Sequence, residues 1–255
     1  MTARPHDAVV EAQFGPRAQA YVASAVHAAG EDLDALEAIV RRTRPMRALD
    51  LGAGGGHVAY RLSPHAGAVI AADLSAEMLA AVAATARSKG LANIEVRAAP
   101  AERLPFADAQ FDFLACRFSV HHWSDWGAGL REARRVLAPG STAVFIDAVS
   151  PGPAALDTHL QAVELLRDTS HVRDYAPGQW LSALTGAGFL AGETRSWRLR
   201  MDFPTWIARM RTPDVNRDAI RALQQAASAE VRAHFAIETD GSFMLDTLMI
   251  EAVAA

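Results

Sequence analysis

A glycine-rich segment about fifty residues into the chain constrains the fold more than any other feature of the sequence. An apolar run ends at Asp50-Leu51, and Gly52, Gly54 and Gly56 follow at alternate positions, where a helical pattern begins. Glycine has no Cβ, so such a loop can adopt positive φ and place its backbone N–H groups against a small polar ligand. The loop alone is not specific, because dehydrogenases and plain surface turns contain similar ones.

Short apolar runs alternate with helical patterns from Met46 onward. Five of these runs are predicted to be strands: residues 47–51, 68–72, 93–97, 111–116 and 142–147. Strands that alternate with helices form a parallel sheet with both faces covered, and such sheets bind ligands at the carboxyl ends of their strands. We therefore expect an α/β fold: a Rossmann-like, doubly wound, mostly parallel seven-stranded sheet with the glycine loop in its ligand crevice.

The regions on either side of this core have patterns of their own. Amphipathic helical patterns near the N-terminus predict a helical lid over residues 1–45, followed by the α/β core over 46–150. Residues 151–255 are expected to complete the same domain, with a helical insertion at about 203–234 that covers the crevice. A closing hairpin is predicted over 235–250, turned at Asp240-Gly241.

Composition excludes several classes of function. The 255-residue chain has a formal net charge of −4, which gives no bulk attraction to nucleic acid or to an anionic membrane. It has no signal-type N-terminus and no run near the ~18 apolar residues that span a bilayer. Its one cysteine, Cys116, is predicted to be a buried thiol, and no intramolecular disulfide can form. We expect a soluble cytoplasmic monomer or homodimer, without a metal site, nucleic-acid partner or membrane partner.

A second acidic residue closes the next predicted strand. Asp73 lies about 20 residues beyond the glycine loop, the distance at which a strand-end carboxylate accepts hydrogen bonds from both ribose hydroxyls of a nucleoside. A helix-capping role is the alternative for Asp73, and Ser75 is predicted to be the N-cap of the following helix. Together the loop and the carboxylate predict a nucleoside site.

Five separated motifs follow one another along the chain. They are Asp50-x-Gly52-x-Gly54-x-Gly56, Asp73, Ala101-Glu102-x-Leu104-Pro105-Phe106 before Phe111-Asp112, His121-His122-Trp123, and Glu132-x-x-Arg135-Val136-Leu137-x-Pro139-Gly140. This series resembles the class I S-adenosylmethionine-dependent methyltransferases. More narrowly, it is similar to the methyltransferase type 11 group, which includes ubiquinone and menaquinone biosynthesis enzymes. The resemblance covers about residues 46–150 and implies transfer of a methyl group from S-adenosyl-L-methionine to a small-molecule acceptor.

The resemblance implies one set of residues for the methionine part of this cofactor. They belong to the glycine loop and to the segment after the fourth strand: Gly52, Ala53, Gly54, Gly56, Arg117 and Phe118. Asp50 would order the loop. Arg117 and Phe118 would face the methionine carboxylate and the methyl group.

A second set is implied for the adenosine part. Asp73 would bind the ribose, and four further residues would flank the adenine: Leu74, Met78, Ala101 and Glu102. Tyr21, in the N-terminal helical region, would close over the cofactor as an aromatic lid. One position departs from the family, because the aspartate that usually precedes the Ala-Glu pair is Pro100 here. Glu102 or a backbone carbonyl would then accept from the adenine amino group.

Several histidines follow the predicted strands and are candidates for chemistry. Methyl transfer needs a general base only when the attacking atom carries a proton that must leave. The candidate bases are His27, His121, His122, His171 and Asp147, of which His122 is favoured. The candidate substrate contacts are His27, His121, His171 and Arg173, and the alternative for these side chains is packing, helix capping or a solvated loop. The aromatic residues Phe203, Trp206 and Phe235 are predicted either to line a hydrophobic acceptor pocket or to belong to the core.

Two other functions share parts of this pattern. An NAD(P)-dependent oxidoreductase would also contain the glycine loop and the strand-end acid. Against it, the chain has no Tyr-x-x-x-Lys pair, because Lys89 is its only lysine. A non-catalytic S-adenosylmethionine-binding module is the third hypothesis, and the intact, ordered motifs argue against it.

Overall fold

Parallel strands form the centre of the molecule. The computed structural model describes residues 4–18 and 29–255. Its strands are β1 (Arg47–Leu51), β2 (Ala68–Asp73), β3 (Ile94–Ala98), β4 (Phe111–Arg117), β5 (Leu137–Ala148), β6 (Phe189–Met201) and β7 (Phe243–Ala254). They form one seven-stranded sheet in the order β3-β2-β1-β4-β5-β7-β6. β1 to β5 run parallel to one another, and β7 runs antiparallel to both β5 and β6, so the predicted mostly parallel α/β fold is confirmed.

Helices connect the strands and cover the sheet. In the described residues they are α1 (His6–Phe14), α2 (Glu31–Thr43), α3 (His57–Leu62), α4 (Ala76–Ser88), α5 (Trp126–Val136), α6 (Ala154–Arg167), α7 (Pro177–Gly186), α8 (Phe203–Met210), α9 (Asp214–Ala226) and α10 (Ala229–His234). Short 3₁₀ turns occupy Gly15–Arg17 and Val120–His122. Within residues 4–18 and 29–255, no helix combines the length and the apolarity that crossing a membrane requires.

Both faces of the sheet are buried by these helices. On one face, Leu49 and Cys116 pack in a cluster with α5 and α7, and the prediction of a buried thiol is confirmed. On the other face, Phe113 packs with α2, whose Leu33 and Leu36 are fully buried. Each such leucine contributes about 1.5–3 kcal/mol through removal of apolar surface from water. The two layers hold the strand ends, and therefore the residues that follow them, in fixed positions.

The order of the strands reverses beside β1. From β1 the chain moves outward to β2 and β3, and it then returns to place β4 on the other side of β1. Asp50 is consequently paired with Ala71 of β2 on one side and with Ala115 of β4 on the other. A crevice opens at the carboxyl ends of the strands where a doubly wound sheet reverses its order in this way.

The last strand differs from the sequence prediction. The hairpin expected over 235–250 is wrong, because α10 ends at His234 and only β7 is a strand there. A turn does form at Asp240-Gly241, where the Asp240 carboxylate accepts from the Ser242 backbone N–H at 2.9 Å. That turn connects a helix to β7, and β7 pairs instead with β6, from Phe189↔Ala254 to Met201↔Phe243.

Three helices, α8 to α10, fill the chain between β6 and β7. They pack on α6 and on the start of β7 in a separate apolar cluster that contains Phe203, Trp206 and Phe235, each at most 5% exposed. The hypothesis that these aromatic residues line an acceptor pocket is therefore not supported. They form the core that holds this segment against the sheet.

Candidate active site

A cavity of about 1100 Å³, its open mouth included, lies at the carboxyl ends of β1, β2 and β4. Most residues that the sequence assigns to the cofactor lie on its wall, together with His122: Asp50, Gly52, Ala53, Gly54, Asp73, Leu74, Met78, Ala101, Glu102, Arg117 and Phe118. Tyr21 and His27 lie outside the described residues.

The glycine loop is tied to the end of β2 by its own backbone. The N–H groups of Gly52 and Ala53 both donate to the Ala72 carbonyl at 2.9 Å. Gly52 has φ +73°, and a Cβ at this position would lie 2.0 Å from the Ser119 Oγ, so the loop can pass the end of β4 only with glycine here. Gly56, in contrast, is absent from the cavity wall, because it packs against Tyr60 and Val82 at the start of α3.

Asp50 fixes the helix that follows the loop. Its Oδ2 accepts from the Ala59 backbone N–H at 2.9 Å, and its Oδ1 is buried without a hydrogen-bond partner in the described parts of the chain. Burial raises the pKa of Asp50 to about 7, and the nearby Asp73 carboxylate adds to this shift. Arg117 opposes this shift, but Asp50 forms no ion pair within the described residues, and its Oδ1 stays without a donor.

Asp73 is held by two backbone donors. Its Oδ2 accepts from the Gly54 N–H at 2.8 Å, and its Oδ1 accepts from the Ser75 N–H at 2.9 Å. Burial raises the pKa of Asp73, although these hydrogen bonds oppose the shift. Ser75 is the N-cap of α4, since its Oγ accepts from the Met78 N–H at 3.2 Å. The helix is thus capped by Ser75, which leaves Asp73 on the cavity wall.

Arg117 and Phe118 close the other side of the cavity. The Arg117 guanidinium forms an ion pair with Asp32 of α2 at 2.5 Å, and both side chains are less than 10% exposed. It also lies over the Phe118 ring, 4.6 Å from its centroid. Phe118 has φ +51°, an uncommon conformation for a bulky residue, and its N–H donates to the Ile146 carbonyl at 2.8 Å. Such strained positions cluster at functional sites.

One face of α1 lines the cavity, through residues that the sequence reasoning did not name. Asp7, Val10 and Phe14 are three and four residues apart, so they share a face of the helix, and all three lie on the wall. The His6 Nε2 hydrogen-bonds the His122 carbonyl at 2.8 Å, and the Phe14 ring lies edge-on to the His122 ring at 4.9 Å. The spacing of three and four residues between Asp7, Val10 and Phe14 was the signal in the sequence that could have identified this face of the helix.

His122 is the one predicted histidine of the described residues that lines the cavity. Its Nδ1 donates to the Ser170 carbonyl at 3.1 Å, and Ser170 is itself fixed by the Asp168 carboxylate, which accepts from its N–H at 2.9 Å and its hydroxyl at 2.6 Å. Burial and the neighbouring charge on His121 lower the pKa of His122 to about 4. The imidazole is therefore neutral near pH 7, and its proton lies on Nδ1.

His121 belongs to a buried ion pair behind the wall. Its Nδ1 lies 2.5 Å from Asp147 Oδ1, and the Asp147 Oδ2 accepts from the Val120 N–H at 2.8 Å. Burial opposes the charge on His121, but the Asp147 carboxylate outweighs it and raises the pKa of the imidazole to about 9. Asp147 thus fixes the position of the 3₁₀ turn that carries His122. His121 and Asp147 are bonded to each other behind the wall, so neither is accessible as a general base.

Two further predicted substrate contacts also lie away from the wall. The His171 Nε2 hydrogen-bonds Gln161 Oε1 at 2.9 Å, and burial lowers the pKa of this histidine to about 2. Arg173 forms an ion pair with Asp157 at 2.6 Å. Both partners come from α6, and the sequence gives no signal for that pairing. His121, His171 and Arg173 therefore support the wall without lining it.

Comparison with known proteins identifies the family. A model described as a methyltransferase domain matches residues 49–145. YcgJ of Bacillus subtilis, a methyltransferase by its description, is 32% identical over 248 residues, which cover 95% of this chain and 98% of YcgJ. This chain belongs to the S-adenosylmethionine-dependent methyltransferases. The crystal structure of YcgJ superposes with a TM-score of 0.81 at 30% identity, covering 86% of this methyltransferase and 98% of YcgJ.

Two other relatives are similar to this methyltransferase. YafE of Escherichia coli is 47% identical over 197 residues, covering 77% of this chain and 95% of YafE. The demethylmenaquinone methyltransferase of Chlorobaculum parvum is 37% identical over 113 residues, covering 44% of this chain and 45% of the relative. The similarity to the menaquinone group is thus confirmed, over 44% of this chain in that relative. Family membership also sets aside the oxidoreductase alternative.

Proposed function

We propose that this enzyme transfers the methyl group of S-adenosylmethionine to a small-molecule acceptor, with the cofactor in the cavity at the ends of β1, β2 and β4. The observation that carries the proposal is Asp50, which lines the cavity and has a buried Oδ1 without a hydrogen-bond partner among the described residues. A buried acceptor atom of this kind is destabilising unless a ligand supplies the donor. The ammonium group of the methionine part is a suitable donor.

Other residues of the wall fit the remaining parts of the cofactor. Gly54 has φ +48°, and a Cβ added there would meet nothing within 4 Å, which leaves the loop open to close approach by a ligand. The Asp73 oxygens each accept one backbone hydrogen bond and keep the capacity for a second, from the ribose hydroxyls. Leu74, Met78 and Ala101 offer apolar surface to the adenine ring.

The same wall limits the size of the acceptor. When bound, S-adenosylmethionine supplies a methyl group that its sulfonium sulfur already activates. The protein has to align the acceptor with that methyl group, and positioning of this kind can lower a barrier by about 7–11 kcal/mol. Because Asp7, Val10 and Phe14 of α1 line the cavity, an acceptor inside it must fit against this helix. This favours a small molecule over a macromolecule.

We place the acceptor at the His122 end of the cavity. The Nδ1–H of His122 is committed to the Ser170 carbonyl, so Nε2 carries the lone pair, and no described residue hydrogen-bonds it. This neutral imidazole can accept a proton from the attacking group as the methyl group is transferred, and its pKa of about 4 makes it a weak base suited to an acidic acceptor. His122 is thus the proposed general base, and Ser170 and Asp168 hold its orientation.

Ligand-dependent thermal stability tests the cofactor assignment. S-adenosylmethionine or S-adenosylhomocysteine at one hundred times its Kd should stabilise the protein by about 2.7 kcal/mol and raise its Tm, whereas NAD should leave the Tm unchanged. Stabilisation by NAD alone would contradict the proposal. Binding of S-adenosylmethionine without labelling of any metabolite in an extract supplied with the methyl-deuterated cofactor would favour the non-catalytic module.

A substitution tests the base. For an acceptor that must lose a proton, His122→Gln should lower kcat about 10²- to 10⁴-fold while the Kd for S-adenosylmethionine stays within about twofold. The matched control is His65→Gln, because His65 pairs with Glu37 and is absent from the cavity wall. An unchanged kcat in His122→Gln would show that the acceptor reacts without this base.

A further inference from the structure

The chain that connects α6 to α7 packs directly behind His122. The N–H groups of Val172 and Arg173 both donate to the His121 carbonyl, at 2.8 and 3.2 Å. In the opposite direction, the His122 Nδ1–H donates to the Ser170 carbonyl at 3.1 Å. This connection and the 3₁₀ turn that carries the two histidines are therefore fixed to each other by hydrogen bonds.

The Ser170 hydroxyl links the imidazole to a carboxylate. Its Oγ lies 3.3 Å from the His122 Nδ1 and donates to the Asp168 Oδ1 at 2.6 Å. The Ser170 N–H donates to the same Oδ1 at 2.9 Å. Because the hydroxyl gives its one proton to Asp168, its oxygen can only accept from the His122 Nδ1–H. Both hydrogen bonds of this chain therefore point from the imidazole towards the carboxylate.

Asp168 is a buried carboxylate without a cation bonded to it. It is 2% exposed, and Ser170 is fully buried. No arginine, lysine or histidine in residues 4–18 and 29–255 forms an ion pair with Asp168, since the adjacent Arg167 pairs with Glu164. Residues 1–3 and 19–28 contain no lysine or arginine. Such a buried charge is destabilising unless a positive charge compensates it.

Two ion pairs near His122 are each neutral as a pair. The 3₁₀ turn and β5 contribute His121 and Asp147, which lie 2.5 Å apart. From α6 come Glu164 and Arg167, which lie 3.3 Å apart. Burial and the charge of His121, whose ring centroid lies 4.2 Å from that of His122, lower the pKa of His122. The neighbouring pairs therefore supply no spare negative charge that could favour protonation of this base.

The remaining ionisable groups in this region do not supply one either. Burial lowers the pKa of His171 to about 2 and raises that of Asp174 to about 8, so both are mainly uncharged at pH 7. From α1, Asp7 is exposed, and the His6 imidazole hydrogen-bonds the main chain of the 3₁₀ turn. The buried groups behind the base therefore carry one unmatched negative charge, that of Asp168.

From this arrangement we infer that Asp168 is a positioning residue that acts through Ser170, and that its carboxylate is the counter-charge of the His122 imidazolium formed during methyl transfer. The acceptor gives its proton to Nε2 as it takes the methyl group from the sulfonium sulfur, which keeps the electron pair of the broken bond. The new positive charge then faces Asp168 across one hydroxyl group. A buried carboxylate stabilises an imidazolium in this way in catalytic triads. The inference rests on the proposed function, since it concerns the base of that reaction.

Asp168→Asn separates the charge from the hydrogen bonds. The Ser170 N–H requires an acceptor at Oδ1, so the amide oxygen of the asparagine takes that position and keeps both bonds from Ser170. A purely structural role would survive this change, whereas an electrostatic role would be lost. Long-range ¹H–¹⁵N NMR of histidine-labelled protein reports the protonated fraction of His122, and the absence of its signal in His122→Gln assigns it.

The expected result is a loss of protonation at His122. With a pKa of about 4, about a tenth of the wild-type imidazole is protonated at pH 5. Asp168→Asn should lower this fraction at least threefold, while Asp218→Asn, an exposed loss of the same charge on α9, should leave it unchanged. An unchanged fraction in Asp168→Asn would overturn the inference. The ¹³Cγ signal of Asp168 in the wild type is a second measurement, and an uncharged carboxyl group at pH 7 would also overturn it.

Kinetics of the double variant show whether Asp168 acts through the base. With an acceptor that must lose a proton, Asp168→Asn should lower kcat at least threefold, and in a His122→Gln background it should lower kcat no further. An equal loss in both backgrounds would contradict the inference. Failure of the wild type to bind S-adenosylmethionine would instead remove the proposed function. Because the NMR titration needs no cofactor, the two failures are distinguishable.

Discussion

The protonation of Asp50 should govern the pH dependence of cofactor binding. Burial raises the pKa of this carboxyl to about 7, so about half of the molecules carry the proton at pH 7 and about 97% carry it at pH 5.5. An ammonium group binds the carboxylate and not the acid, so binding lowers this pKa and releases the proton. Affinity therefore rises with pH, and a bound-state pKa near 4 predicts a Kd about fifteenfold higher at pH 5.5 than at pH 7, or about 1.6 kcal/mol.

Isothermal titration calorimetry can measure both parts of this prediction. Titrations of S-adenosylmethionine between pH 5.5 and 7 give the change in Kd, and repetition in buffers of different ionisation enthalpy gives the proton release, which should be about half a proton per ligand at pH 7. Asp50→Asn should flatten the pH dependence, while Asp218→Asn, an exposed change on α9, should preserve it. A wild-type Kd that does not change over this range, or the same slope in Asp50→Asn, would refute the role of Asp50.

Four other substitutions test the rest of the site. Asp73→Ala should weaken S-adenosylmethionine binding by more than ~1 kcal/mol through loss of charge-assisted hydrogen bonds, and an unchanged Kd by calorimetry would place the ribose elsewhere. Gly52→Ala should lower the free energy of unfolding in urea by about 2 kcal/mol or more, because its Cβ would lie 2.0 Å from a neighbouring hydroxyl oxygen. Gly54→Ala has open space beside its Cβ and should lower the free energy of unfolding by about 1 kcal/mol or less. The imidazole of His121 has a folded pKa of about 9, above its ordinary 6.5, so the stability contributed by its pair with Asp147 is complete below pH 6.5 and is lost as the pH rises through 9. In urea unfolding, the difference in the free energy of unfolding between wild type and Asp147→Asn should therefore shrink from pH 6.5 to 9.5. A difference that stays constant over this range would contradict the ion pair.

Local sequence patterns were sufficient to predict those site residues that lie at the carboxyl end of a strand. The glycine loop and Asp73 each follow a buried parallel strand, and the carboxyl ends of neighbouring parallel strands meet at one edge of the sheet. Their shared position on the cavity wall follows from strand order alone. Arg117 and Phe118 were implied by the family resemblance, and they lie at the end of β4 and directly after it.

Features that depend on distant partners could not be predicted in this way. The turn at Asp240-Gly241 depends on neighbouring residues and was predicted. The strand that follows it, β7, pairs with β6, which ends at Met201, and no short-range signal in the sequence selects that partner. The charges of His121 and Arg173 suggest ligand contacts in the sequence. In the structure they are matched by Asp147 and by Asp157, whose positions depend on how β5 and α6 pack.

The pairing of β6 with β7 also bears on how much the chain between these strands can vary. Met201 and Phe243 are partners in adjacent strands, so the two ends of the 41-residue stretch between them are neighbours. A tight reverse turn, or a foreign segment of another length, can join the same two positions while the register of the sheet is retained. The stretch can therefore be exchanged for another, and its replacement does not change the strands that carry Asp50 and Asp73.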